Sequence, residues 1–340
     1  MICILILLST AGCGKEKTQV SQPEKKTIEI TDSMGRHLTV PYNPQRIVSV
    51  NSDVSEVICA LGSQDKIVGV ADTSKFPPLL KEKSKVGAAF TPNVERILEL
   101  KPDIVFGYGK FLKPEIAQKI ESAGIPVVYL DCYKIKTMGK DIKTLGSILN
   151  KEKQAKEYVD FFDKYLKEVS DKVKNIPEDK KVKVYIEGYT DYSTNASGSA
   201  AAEMLEYAGG KNIAASENKP YPTVSSEWVI AQNPQVIIKA ASGSTVSGYG
   251  ASDEGMKKLW EKIVSRTGWQ QIQAVKDGRV YIISSEIYTG PRAPVGIFYF
   301  AKWMYPELFK DINPENINKE FLHRFYGLDA KGAWVYPSQH

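Results

Sequence analysis

Histidine is nearly missing from this chain: His37, His323 and His340 are the only three in 340 residues, and they stand far apart. A zinc or manganese ion wrapped by three or four histidines and carboxylates needs such ligands to converge, so capture of a bare metal ion is not expected. Charge of one sign is also in short supply. Forty-five Lys and Arg against forty Asp and Glu leave a net charge of +5, and with no basic cluster standing apart no nucleic-acid partner is expected. No GxSxG elbow, phosphate loop or zinc signature occurs. The Gly-rich stretch SGSTVSGYG lacks the strand-to-helix setting that would give it chemistry, so the chain does not read as an enzyme. Long hydrophobic runs are few. The opening MICILILLSTAG is shorter than the ~20 residues of a spanning helix and matches a signal-peptide core. The later APVGIFYFAKWMYPELF is interrupted by Lys302 and Pro306 and reads as a packed helix.

Residues 1–12 are therefore read as a signal peptide. Thr10, Ala11 and Gly12 precede Cys13, a pattern that resembles the bacterial lipobox, in which cleavage leaves the cysteine N-terminal and lipidated. Thr10 stands where the lipobox usually has Leu. No Lys or Arg precedes the apolar run, which places the expected start codon upstream of Met1. The polar GKEKTQVSQPEKK that follows makes 13–26 a flexible tether. With Cys3 removed and Cys13 lipidated, only Cys59 and Cys132 remain in the body, which excludes a disulfide framework. Their settings, EVICALG and VYLDCYK, read as a helix core and a strand end, so two separate thiols are expected.

What is present is a doubly wound pattern. TIEITDSMGRHLTVP reads as a hairpin turning at Met34-Gly35. IVSV (47–50), IVGV (67–70), DIVFG (103–107) and VVYL (127–130) are the short apolar runs of buried parallel strands. SEVICALG, NVERILEL and KPEIAQKIESAG lie between them as helices closed by Gly or Pro. From Thr137 to Lys174 the strand signals stop. Tyr158, Phe161, Phe162, Tyr165, Leu166, Val169 and Val173 recur there at helical spacing, one long amphipathic helix after a shorter one. The βα pattern then returns with KVKVYIEG, VIIKA and VYIIS. The fold class is α/β: two Rossmann-like lobes with mainly parallel sheets, 27–136 and 177–340, joined through connecting helices over 137–176. An internal echo links the lobes, because Glu95 precedes Pro102 by seven residues before a strand, as Glu227 precedes Pro234.

In order and spacing, PQRIVSVNSDVSEVICALG, VGAAFTPNVERILELKPDIVFG, AAEMLEYAGGKNIA, VSSEWVIAQNPQVIIKA and AVKDGRVYIISS resemble the substrate-binding proteins of ABC importers for iron-siderophore complexes, haem and cobalamin. The resemblance spans essentially the whole mature chain. It implies two lobes bridged by one rigid helix, small closure on binding, and a cleft ligand delivered to a permease dimer with its ATPase. It also implies an extracytoplasmic, lipid-anchored monomer, on the outer face of the cytoplasmic membrane or in the periplasm, with no intrinsic cofactor. One carboxylate on the outer surface of each lobe would dock onto permease arginines. Glu56 matches the first position; Glu206 matches the second, and Glu203 one turn earlier fits it too. Such rim charges favour orientation and encounter over raw affinity.

Clefts in such sheets lie beyond the carboxyl ends of the strands, which makes the following loops the candidate ligand site. They carry Asn51, Ser52, Phe90, Tyr108 and Tyr133 in the first lobe, and Tyr189, Tyr192, Asn195, Tyr249, Tyr288 and Arg292 in the second. A phenol offers a flat apolar face and one hydrogen bond at low rotamer cost, which suits a large metal-chelated ligand; packed surface tyrosines are the alternative. Arg292, in a Gly-Pro-bounded loop, presents a donor fork to an anionic ligand or braces its own loop. The expected cargo is a ferric siderophore, then a corrinoid, then haem, for which a Tyr could be axial. A surface receptor without transport coupling is the rival function.

Overall fold

The computed structural model describes residues 26–241 and 245–338; the signal peptide, Cys13 and nearly all of the tether lie outside the described residues. The chain opens with an antiparallel hairpin, β1 (Thr27–Thr31) and β2 (His37–Pro41). Asp32 closes its turn, accepting from the backbone N–H of Met34 at 2.9 Å and of Arg36 at 3.0 Å, and from Arg36 Nε at 2.9 Å. The apolar runs become β3 (Ile47–Ser49), β4 (Ile67–Val70), β5 (Ser84–Lys85), β6 (Ile104–Gly107) and β7 (Val127–Tyr129). They form an all-parallel five-stranded sheet in the order β5-β4-β3-β6-β7. Helices α1 (Ser52–Ala60), α2 (Val94–Glu99) and α3 (Pro114–Ser122) connect its strands. Covered on both faces, β3, β6 and β7 are wholly buried, which is why they read as continuous apolar runs.

The chain leaves this lobe through α4 (Ile135–Leu149) and α5 (Glu152–Val173), the turn between them made by Asn150 at φ 57°. At 1.5 Å per residue, α5 runs about 33 Å. The second lobe contains β8 (Lys183–Glu187), α6 (Ala200–Tyr207), β9 (Lys211–Asn212), α7 (Ser226–Gln232) and β10 (Val236–Ala241). There follow β11 (Gly248–Tyr249), α8 (Glu254–Val264), α9 (Gln273–Lys276), β12 (Val280–Ser284), α10 (Ser285–Tyr288), α11 (Ala293–Met304), α12 (Pro314–Tyr326), β13 (Gly332–Ala333) and β14 (Val335–Tyr336). Its sheet runs β14-β12-β10-β8-β9 and is parallel except for β14. The spatial order β4-β3-β6-β7 repeats as β9-β8-β10-β12. The Glu-Pro echo therefore marks equivalent helices, α2 before β6 and α7 before β10.

One hydrophobic core runs through both lobes, joining Ile47, Val57 and Phe106 of the first to Val184, Ile238 and Ile283 of the second by way of the apolar face of α5. Helix α11 is buried at every position but Lys302, as a helix apolar on all sides must be. The packed helix that the terminal run marks is α11, which lies against α6 of the second lobe. Helix α12 instead crosses to the first: Phe321 packs edge-on against Tyr158 of α5 at 5.5 Å, and Tyr326 reaches Glu56 of α1. Cys59 and Cys132 are buried free thiols, as their settings indicate. Among the described residues no helix is long and apolar enough to cross a membrane.

Candidate functional site

The cleft floor begins where β3 gives way to α1. Asn51 caps the helix, its Oδ1 accepting from the backbone N–H of Asp53 at 2.8 Å and of Val54 at 3.1 Å. Its Nδ2 donates to the Leu130 carbonyl at 2.7 Å. Asn51 is fully buried, so it joins the ends of β3 and β7, and its expected role as a ligand contact is corrected. The cap sets Asp53 in the first helical turn, where its Oδ2 accepts from the Tyr108 hydroxyl at 2.7 Å. Burial pushes the Asp53 carboxyl up to about 7; the Tyr108 hydrogen bond opposes this, and the charges of Glu56 and Asp131 add to it. Asp53 is not among the residues expected at the site. Its only signal was its position as a first-turn acid, which any helix favours.

Around Asp53 stands an aromatic wall from the first lobe. Phe90 packs on Tyr108 at 5.7 Å and on Phe111 at 5.1 Å, and Tyr108 lies 6.0 Å from Tyr133. Phe90 and Phe111 are nevertheless 47% and 41% exposed, large apolar surface left open to the cleft. Burial and the charge of Asp131 push the Tyr133 phenol up to about 12. Lys134 lies 5.2 Å over the Tyr133 ring and is paired with Asp131 at 3.0 Å.

The facing wall comes from the second lobe. Tyr189 meets Tyr288 edge-on at 5.8 Å. Burial pushes the Tyr189 and Tyr221 phenols up, with the Asp53 charge adding to the first and Lys134 opposing the second. Tyr288 is buried, with a hydroxyl that has no partner among the described residues. Behind it, Gly290 at φ +81° presses on the floor: a Cβ there would stand 2.5 Å from Asp53 Oδ1. Phe111 and Tyr221 join the site without having been singled out in the sequence, because neither directly follows a strand.

Several expected residues lie elsewhere. Arg292 is fully buried and binds Glu56 through Nε at 2.9 Å and Glu286 through Nη2 at 3.0 Å, with its guanidinium 4.0 Å over the Phe76 ring. The ligand-facing fork is thus corrected to a seam joining the lobes. Glu56, expected on the outer surface for docking, is the buried partner of that seam and also accepts from the Tyr326 hydroxyl at 3.0 Å. Tyr192 turns into the second lobe, 6.2 Å from Trp269 and beneath the Arg266 guanidinium at 4.4 Å. Asn195 is buried under its own loop. Tyr249 packs on Phe76 at 5.7 Å, beside the Arg292 seam. Ser52 bonds Thr73 at 3.0 Å and Ser74 at 3.1 Å within its own lobe. Glu206 is exposed and pairs with Lys136 at 3.2 Å, and Glu203 accepts from the Lys136 N–H at 3.4 Å.

The loop carrying Tyr189 is braced from beneath by charges. Lys239, on the central strand β10 and 1% exposed, bonds Glu187 at 2.9 Å and points at the Tyr189 carbonyl at 3.4 Å. Arg266 grips Glu187 with two bonds of 2.7 and 2.9 Å. A recess of about 530 Å³ at the opposite end of this sheet is lined by Glu178, Lys181, Lys183, Lys211 and Arg279, among others, and by no aromatic residue. The flat apolar surface lies in the cleft.

Residues 47–287 match the periplasmic binding protein family. YvrC of Bacillus subtilis, an ABC transporter substrate-binding lipoprotein, is 29% identical over 320 residues, covering 91% of this chain and 96% of that protein. The molybdate-binding protein MolA of Haemophilus influenzae is 26% identical over 336 residues, covering 89% and 92%. Its molybdate-bound structure superposes with a TM-score of 0.78 at 25% identity, covering 90% of this chain and 99% of that chain. A vitamin B12-binding protein of Yersinia pestis is 28% identical over 217 residues, covering 63% and 76%. Matched over most of its length in sequence and in its two-lobed architecture, the chain belongs to the periplasmic binding protein family of ABC-transporter substrate-binding proteins.

Proposed function

We propose that this protein captures a metal chelate with a broad apolar periphery between its aromatic walls and delivers it to the permease dimer of an ABC importer. A ferric siderophore is the first candidate; a corrinoid or haem is the next. The observation that carries this reading is the set of rings that the two lobes bring to the Asp53 floor where Gly290 meets it, Phe90, Tyr108, Phe111 and Tyr133 from one and Tyr189, Tyr221 and Tyr288 from the other, which offers flat faces and few charged donors. A bare oxyanion, such as the molybdate of the Haemophilus relative, would meet the Asp53 carboxylate here, with Arg292 committed to Glu56 and Glu286. Native mass spectrometry of the protein mixed with a catecholate siderophore, a hydroxamate siderophore, cobalamin and haemin tests it. Retention of none, or undiminished retention after Phe90→Ala with Tyr189→Ala, sinks it.

Delivery needs an exposed carboxylate at equivalent places on the two lobes, because a permease dimer presents the same surface twice. With Glu56 buried, the equivalent pair that meets this condition is Glu95 and Glu227. Both are exposed and lie in the first turns of α2 and α7, at the cleft end of each sheet. Reversing both charges should abolish importer-dependent uptake while leaving binding in solution intact. Uptake lost instead on reversing Glu206 and Glu203 would return the role to α6. Cys13 as the lipid anchor is tested by Cys13→Ser, which should release the protein from membranes.

A further inference from the structure

Asp53 brings an ionisable carboxyl to the aromatic floor, and its surroundings say which charge the cleft tolerates. It is fixed from three sides: the Asn51 cap orders its backbone, Tyr108 donates to Oδ2 at 2.7 Å, and Gly290 leaves room for Oδ1 only because it lacks a side chain. The charges acting most strongly on it are negative, Glu56 and Asp131. Two of the cations on the cleft loops are engaged with carboxylates of their own, Lys134 with Asp131 at 3.0 Å and Arg292 with Glu56 at 2.9 Å and Glu286 at 3.0 Å. With that carboxyl ionised, an anion entering this site would meet a fixed, partly desolvated negative charge that Lys134 and Arg292, held by their own carboxylates, do not cancel, and inside a protein such repulsion is felt strongly. A positive or donor-bearing group would complete a site already held in place.

We propose that Asp53 is the specificity-determining residue of the cleft: it receives a hydrogen-bond donor or positive charge from the bound chelate, so that the protein takes cationic and neutral chelates and rejects anionic ones. This rests on the reading of the cleft as a chelate site. Tyr108 acts as the positioning residue, holding the carboxylate toward the ligand space.

The test uses one chelate in three charge states. A ferric tris-hydroxamate with a pendant amine is compared with its acetylated and succinylated forms, which carry one positive charge, none and one negative charge on the same core. Cobalamin is compared in parallel with its monocarboxylic acid. Affinities are measured by tryptophan fluorescence titration at about pH 8.5, where the Asp53 carboxyl is ionised. The expected order is cationic, neutral, anionic, spanning about tenfold to a hundredfold, with Asp53→Asn compressing that range by about tenfold. An anionic form bound as tightly as its neutral counterpart by the unaltered protein overturns the proposal, as does an Asp53→Asn variant that keeps the full range. If neither scaffold binds in any form, the chelate reading fails and takes this one with it. Binding that ignores charge overturns this inference alone.

Discussion

Replacing Arg292 by Met takes a guanidinium out from between Glu56 and Glu286 while keeping much of its apolar stem. Its side chain is 0% exposed, those of its partners are 10% and 19% exposed, and the bonds are 2.9 and 3.0 Å long. Removing one member of a buried ion pair costs about 3–5 kcal/mol, because the partner is left desolvated and uncompensated. Two features hold the cost to the low end. Glu56 keeps the Tyr326 hydroxyl at 3.0 Å, and Glu286 keeps the Trp334 indole N–H at 3.0 Å. Burial already holds the Glu56 carboxyl above its usual range, against the pull of Arg292, so without the guanidinium it can take a proton and shed its charge. A loss of about 3 kcal/mol at pH 7 follows, or a fall in Tm of about 6–10 °C for a chain of this size. Thermal denaturation followed by circular dichroism measures it. The deficit should shrink as pH falls and the orphaned Glu56 carboxyl takes up its proton, and Glu56→Gln in the same chain should restore about 1–2 kcal/mol. An Arg292→Met protein that melts within about 2 °C of the parent yet no longer binds any chelate would refute the seam and return Arg292 to the ligand site.

Asp53 gives a second stability test with the opposite sign. Its carboxyl rises from 3.8 to about 7 in the fold, so between those values the folded protein holds a proton that the unfolded chain has lost, and stability falls as pH rises through the window. Asp53→Asn should therefore match the parent below pH 4 and exceed it at pH 8, by up to about 4 kcal/mol; equal urea midpoints at pH 8 would contradict the raised carboxyl. Gly290→Ala forces a Cβ onto Asp53 Oδ1 at a residue with φ +81°. It should cost about 1–3 kcal/mol and weaken chelate binding together, both read in one calorimetric titration series. Lys239→Met strips one cation from buried Glu187 but leaves the Arg266 grip. A loss of about 1–3 kcal/mol is expected, with faster amide exchange confined to the Tyr189 loop.

The strands could be read from the chain because a parallel strand covered on both faces is mostly apolar: IVGV and VYIIS are strands over the residues that their runs mark, although paired Lys239 and Glu187 are buried in β10 and β8. Helix α5 was legible from the spacing of Tyr158, Phe161, Phe162 and Tyr165, all of which the fold buries. The loops that make the cleft follow from topology alone, and Phe90, Tyr108, Tyr133, Tyr189 and Tyr288 lie along it. Which way each polar side chain turns did not follow. Arg292 and Glu56 are separated by 236 positions and Tyr326 and Glu56 by 270, yet they meet in one buried seam. Asp53 acquires its character from Tyr108, 55 positions away, and from the Gly290 backbone of the other lobe. Periodicity and turn chemistry are set by neighbours along the chain, so the sequence by itself determined the elements, their order and the ends of the sheets where a ligand can sit. The charge state of the floor follows from burial, and the burial of Glu56 and the withdrawal of Arg292 from partners that only packing brings within 3 Å, and those the tertiary structure alone decided.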